Sequence, residues 1–386
     1  MNKKLGMAVA GAVMAFGATA ANAGITIPAG DWTIDIGGNV NTFYTRTTGD
    51  LKVNGENVTD IRTGLLPSAL GIGGKTRQND LDIAFQFTFF VGADDGGGLG
   101  AAVNNNAAGN NSLNIRQAYG TFGDASWGTI KFGRDLGIYG SDAILSDMTL
   151  LGVGVGAGTL PGGGSSTLGR IGSGYIYADW VGQISYHSPN WNGFSFAAGL
   201  RDPWKSGSAT AANNKLGFEG KASYEWAGDI SGKVWTGFIS QKMEDAVLAD
   251  RTGRSWELGG KIAVSDFTLL GYYYDGKNID SNVALGGIGG LAFTNFGLKS
   301  DDDGGYVQGT FKLPGIGTKL GLSYGVSNND ISGGPELKNK SWIVGAYHPL
   351  TKSLNLVAEY TDQELDLSNA KDLDARTISL GAIMFF

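Results

Sequence analysis

Residues 375–386 read A-R-T-I-S-L-G-A-I-M-F-F. Side chains alternate across an extended strand, so Ile378, Leu380, Ala382, Met384 and Phe386 share one face. Thr377, Ser379 and Gly381, small or polar, lie on the other. In a soluble sheet such a strand leaves an oily open edge, which invites aggregation. The pattern is stable where the strand closes a barrel and its oily face meets lipid. A partner exists at the other end of the chain. Trp32, Ile34 and Ile36 alternate there with Thr33, Asp35 and Gly37, so first and last strands are expected to pair.

Working outward, residues 81–89 repeat the alternation most clearly. Leu81, Ile83, Phe85, Phe87 and Phe89 take one face, and Asp82, Ala84, Gln86 and Thr88 the other. From residue 181 onward, strands come in pairs joined by short turns, at 188–190, 227–229, 265–266, 314–317 and 349–351, while longer polar stretches separate the pairs. The fold class expected is all-β: a transmembrane antiparallel barrel of about sixteen strands with short periplasmic turns and long extracellular loops. The longest departure from strand pattern covers residues 135–179, and long irregular loops in compact domains are usually functional.

Composition supports this reading. The chain has 386 residues, 65 of them Gly and none Cys. With 42% hydrophobic residues it is too polar for a helical membrane protein but suits strands with one lipid face and one wet face. The missing Cys excludes disulfides, thiol nucleophiles and Cys-ligated metals. Residues 1–23 read as a secretory signal, with Lys3 and Lys4, an apolar centre over 5–18, and Ala21-Asn22-Ala23 for cleavage. The expected domains are therefore a signal peptide at 1–23 and a single barrel at 24–386. Without Lys3 and Lys4 the chain has 27 basic and 36 acidic residues, net −9. That balance argues against nucleic acid as a partner and sets an expectation of mild cation preference.

Charges recur on the polar strand faces. Lys215, Glu219, Lys221 and Glu225 share one face, Glu257 and Lys261 another, with Lys312, Lys319 and Glu359 elsewhere. Ionic groups in a dry core carry a heavy desolvation cost. A water-filled lumen removes it, and sixteen strands leave an aqueous channel where eight would be filled by side chains.

The stretches N-I-R-Q-A-Y-G-T-F-G from Asn114, W-G-T-I-K-F-G-R-D from Trp127 and G-Q-I-S-Y-H-S-P-N-W-N-G-F-S-F from Gly182 resemble the general trimeric porins of the Gram-negative outer membrane. The resemblance covers essentially the whole chain after the signal. It implies a diffusion channel for small hydrophilic solutes, a homotrimer, and contacts with outer-membrane lipid, lipopolysaccharide and the outer-membrane assembly machinery. It also implies that the 135–179 loop folds into the lumen, where wall bases face loop acids across a constriction. Arg116 and Arg134 match the bases, Asp142 and Asp147 the acids, and Phe386 resembles the terminal aromatic of the assembly signal. Ala69 stands where relatives carry a wall arginine, and Leu150–Leu151 where they carry a second loop acid. Arg170, Lys75 and Arg77 are compensating candidates. A substrate-selective channel on the same barrel is the alternative, with a soluble all-β secreted binding protein third.

Other features have plainer readings. His187 and His348 each precede a short turn, at the periplasmic rim, and neither has the partners of a catalytic triad, so no enzyme is expected. Asp301-Asp302-Asp303 reads as a solvated loop run rather than a divalent-cation site. The Gly-rich stretches at 152–158 and 162–164 lack the context of a phosphate loop. No cofactor or metal is expected. Trp191, Trp226, Trp256, Trp342 and Tyr272-Tyr273-Tyr274 fit interfacial girdles.

Overall fold

The computed structural model describes residues 24–50, 57–93, 113–155, 166–203, 211–212, 215–245, 250–279, 299–334, 336–368 and 371–386. The expected signal at 1–23 and parts of several loops, including Gly162 to Gly164, lie outside them. One antiparallel sheet closes on itself. Its spanning strands are β1 (Trp32–Gly49), β2 (Ser68–Gln78), β3 (Leu81–Val91), β4 (Asn114–Asp124), β5 (Gly128–Leu136), β6 (Trp180–His187), β7 (Phe194–Arg201) and β8 (Gly217–Trp226). They continue with β9 (Ile230–Asp245), β10 (Arg251–Val264), β11 (Phe267–Lys277), β12 (Ser300–Lys312), β13 (Lys319–Ile331), β14 (Glu336–Pro349), β15 (Leu354–Leu367) and β16 (Leu373–Phe385). Three short segments, Ile25–Ala29, Val58–Arg62 and Ala211–Ala212, extend ladders of these sixteen.

The seam lies where the terminal strands predict it. β16 pairs with β1 from Ala375 opposite Gly49 to Phe385 opposite Asn39. Phe386 and Gly38 then exchange both backbone hydrogen bonds, at 3.1 and 2.9 Å. The structure sharpens one point: residues 32–36 of β1 pair not with β16 but with Ile25–Ala29, along the same edge. The last rung of the cylinder is thus composite, N-terminal below and C-terminal above. Ile378 and Leu380 are half-exposed on the outside, while Thr377 and Ser379 are buried within.

Most long strands extend farther on their loop side than the alternation of apolar residues shows. β11 continues to Lys277 and β12 starts at Ser300. Asp301-Asp302-Asp303 therefore begins a strand and is not a loop run. Asp302 points inward and accepts from Ser300 Oγ at 2.7 Å, and Asp301 pairs with Lys277 at 2.9 Å outside. Ladder pairing and inter-strand charge pairs replace water there. The same parity splits the Tyr run: Tyr273 faces out, packing 5.6 Å from Trp256, whereas Tyr272 and Tyr274 are buried inside. Wall height is uneven, since β6 and β7 have 8 residues each and β14 and β15 have 14. At ~3.3 Å per residue the difference is roughly 20 Å along the strand.

Candidate functional site

Between β5 and β6 the chain turns inward instead of crossing solvent. Gly137 N–H donates to Asp179 O at 2.9 Å and closes the base of the excursion. Inside it are a short helix, α1 (Ser141–Ser146), and a 3-10 turn, Met148–Leu151. The loop is held by inward side chains of successive strands. Ile138 and Tyr139 N–H donate to the Glu219 carboxylate on β8, at 2.9 and 3.3 Å. Gly140 N–H donates to Glu257 on β10 at 3.1 Å, and the Tyr272 hydroxyl donates to the same carboxylate at 2.8 Å. Met148 N–H reaches Gln308 on β12 at 2.8 Å. Val153 and Gly154 N–H both donate to Glu359 on β15 at 2.8 Å. The loop then meets the β1–β2 connection, where Leu65 N–H donates to Gly152 O at 2.9 Å.

Two glycines are required by this anchoring. A Cβ at Gly152 would lie 2.1 Å from the Glu359 carboxylate, and Gly140 takes φ +76° just before α1. Apolar packing completes the hold: Met148, Leu150, Val153, Leu168 and Ile171 join wall residues such as Ile343, Tyr347 and Val357 in one buried cluster. On its return the loop inserts Arg170, fully buried. Its Nε donates to Ser323 Oγ, and its Nη1 to Ser341 Oγ at 3.1 Å and to Ser173 O at 3.3 Å.

The candidate constriction residues separate into different settings. Asp142, on α1, bridges Lys221 at 2.9 Å and Lys233 at 2.6 Å. Burial opposes its charge, but the two ammonium groups prevail and hold the carboxyl well below the usual carboxylate range. Asp147 is pinned within the loop, accepting from Thr149 N–H at 2.9 Å, Arg170 N–H at 3.1 Å and the Tyr175 hydroxyl at 2.9 Å. Arg116 points inward by way of an extra residue in β4: Ile115 opposes Phe89 and Gln117 opposes Thr88, so Arg116 is bulged. Its guanidinium lies 4.9 Å from the centre of the buried Phe90 ring. Burial pushes the nearby Asp179 carboxyl up, against the pull of Arg201, Arg134 and Arg116.

Arg134 departs from expectation. It lies opposite Gly182 on β6, two residues from Phe132 opposite Ile184, and both Phe132 and Ile184 are exposed on the outside. Parity therefore places Arg134 on the outward face, where its charge still reaches Asp179 at the loop base but not Asp142 or Asp147, because Lys131 and Asp135 occupy the inward positions of β5. Lys75 and Arg77 also lie apart from the loop. They pair with Asp35 at 3.2 Å and with Asp82 and Asp124 at 2.8 and 2.9 Å near the short-turn end. His187 and His348 are at the same end, beside Ser185 and Thr318, at 3.1 and 2.9 Å. Lys233 has no place in the sequence reading, although its parity with Trp235 and Ile239 on β9 puts it on the inner face.

A closed sixteen-strand barrel with an oily exterior, a polar interior and an inserted loop defines an outer-membrane channel. The sequence profile of the Gram-negative porins matches residues 8–367. The chain belongs to that family and is an outer-membrane diffusion channel of the multi-pass β-barrel kind. Solved structures share the fold. The anion-selective porin from Comamonas acidovorans superposes with a TM-score of 0.66 at 16% identity, covering 92% of this chain and 100% of that one. The outer-membrane channel DcaP of Acinetobacter baumannii gives 0.69 at 15%, covering 95% and 100%. OmpT of Vibrio cholerae in its trimer form gives 0.59 at 16%, covering 92% and 99%. Compared by sequence with individually curated proteins, the chain matches none.

Proposed function

We propose that the channel passes small hydrophilic solutes and ions passively, and that the 135–179 loop narrows it. The observation that carries this is the hydrogen bonding of the loop's backbone to inward Glu219, Glu257, Gln308 and Glu359 on four different strands. A loop tied along so much of the inner wall restricts the cross-section without plugging it from above. In this reading Arg116, Asp142 with its two lysines, and Asp147 as the loop's internal pin make the narrow section. Arg134 is left out of it by its outward position. Liposome swelling with a graded sugar series tests the reading. A smooth fall of rate with sugar size is expected, and a single saturable sugar amid impermeant neighbours would contradict it in favour of a substrate-selective channel.

The same reading includes a homotrimer, supported by the trimer form of the Vibrio cholerae relative, with lipid and lipopolysaccharide around the outer wall and the short turns in the periplasm. Residues 1–23 are removed on export, so an intact mass beginning at Gly24 is expected. Contacts to the assembly machinery run through Phe386. Deleting Phe386 should lower membrane insertion while leaving unit conductance unchanged, and normal insertion of the truncated chain would remove the assembly role. No catalytic role is included: the rings of His187 and His348 touch hydroxyls, and among the described residues no carboxylate touches either.

A further inference from the structure

Just past three of the loop's four anchors, on the short-turn side, the inner wall turns basic. Lys221 follows Glu219 by two residues on β8, Lys261 follows Glu257 by four on β10, and Lys312 follows Gln308 by four on β12. All three strands run toward short turns. Neighbouring strands double the charge: Lys233 stands directly opposite Lys261, and Lys319 directly opposite Lys312. Like charges directly opposite on one face are destabilising. The carboxylates present do not balance them. Asp142 bridges Lys221 and Lys233, and Glu225 bridges Lys233 at 3.0 Å. Among the described residues Lys261, Lys312 and Lys319 form no ion pair; Lys319 lies instead over the Tyr347 ring at 4.7 Å. Lys261 and Lys319 are partly open to the lumen and Lys312 is exposed. A local rule broken twice on the short-turn side of the loop, with Lys261, Lys312 and Lys319 outside any ion pair among the described residues, points to function rather than stability.

We infer that these lysines form an anion-binding shelf beneath the loop, taking small solutes that carry more than one negative charge. The inference rests on the channel reading above and adds which charge class the passage recruits, and from which side. The shelf has two staggered centres, Lys233–Lys261 and Lys312–Lys319: across β11, Leu270 stands opposite Lys261 and Gln308, so Lys312 lies four residues nearer the short turn. A monovalent anion engages one ammonium, whereas a multivalent anion engages both lysines of a centre, which stand directly opposite each other. Low-dielectric walls focus such a field and raise the local concentration of the matching ion. The net charge of −9 does not oppose this, because acids such as Asp301, Asp303 and Asp362 stand on the outer face, opposite partners that also point outward. The preference inferred is thus for anions, the reverse of the expectation from net charge.

The test uses the full folded channel in planar bilayers under a potassium chloride gradient, with inorganic phosphate or succinate then added to one side. The reversal potential should show anion preference. The paired change Lys261→Gln with Lys319→Gln should lower the chloride-to-potassium permeability ratio by about threefold or more, while Lys338→Gln, on the outer face of β14, should leave it unchanged. Phosphate or succinate should reduce chloride current more from the short-turn side than from the loop side. Block by phosphate alone assigns the shelf to compact oxyanions, and block by succinate alone to end-charged carboxylates. Cation preference in the unmodified channel, no block by either anion, or an unchanged ratio in the paired variant overturns the inference and leaves the channel standing. No current at all, from protein with the gel migration of a folded barrel, sinks the channel reading and this inference together.

Discussion

Glu257 and Lys261 share one face of β10, four residues apart, yet they live in different solvents. Glu257 is fully buried and its charge is met by Gly140 N–H and the Tyr272 hydroxyl. Lys261 is partly open to the lumen and meets no carboxylate among the described residues. On β8 Glu219 also lies under the loop, but Lys221 just beyond it pairs with the loop's Asp142. A water-filled lumen accounts for Lys261. It does not account for the glutamates, which are dry and are met by loop backbone donors, with Arg201 also paired to Glu219 at 3.3 Å. Charge on the inner face of this barrel therefore has two uses, one to hold the loop and one to address the solute.

The contrast breaks most severely at Arg170. Arg170→Met would remove the guanidinium that bonds Ser323, Ser341 and the Ser173 carbonyl and leave the Asp147 carboxylate without its nearby cation. Hydrogen bonds to a charged group contribute about 1.5–3 kcal/mol, so the loop should loosen and unit conductance should rise. Conductance equal to the unmodified channel would show that Arg170 is dispensable. Glu257→Leu strands the Gly140 donor and the Tyr272 hydroxyl for about 2 kcal/mol. Cleavage by trypsin after Arg170, which requires release of the loop, should then accelerate roughly thirtyfold. Glu257→Gln keeps an acceptor and should accelerate it far less. Equal effects of Leu and Gln would mean that the loop is held by packing alone.

The smallest effect is expected from pH. Because Lys221 and Lys233 hold the Asp142 carboxyl below its unfolded value, its contribution is complete above about pH 4 and lost only as pH falls further. Loss of the Asp142 pairs should change conductance only below about pH 4. A transition near pH 6 would place control in another group.

Period-two alternation made the barrel legible, and with it the closure of β16 on β1, because that signal is local and recurs on every strand. The loop's span was legible for the opposite reason, as the long absence of the same signal. What stayed hidden was relational. Parity with Ile130 and Phe132 would have turned Arg134 outward, whereas the extra residue that turns Arg116 inward exists only in the pairing of β4 with β3. Asp147 looked like a pore acid because its partners Arg170 and Tyr175 lie 23 and 28 residues away in a stretch without periodicity. The glutamate anchors were visible as charges on a face, but not as acceptors for a backbone 81 to 206 residues distant in sequence.

The natural absence of Cys permits a direct measurement of where the loop lies. Ser173 Oγ in the loop is 3.2 Å from Ser341 Oγ on the inner face of β14, a spacing that suits a disulfide between cysteines at the two positions. The double variant Ser173→Cys with Ser341→Cys should oxidise to near completion in the folded channel, with unit conductance unchanged, because the bond fixes the loop where it already sits. Failure to form the bond, or a large change of conductance when it forms, would contradict a loop clamped to the inner wall.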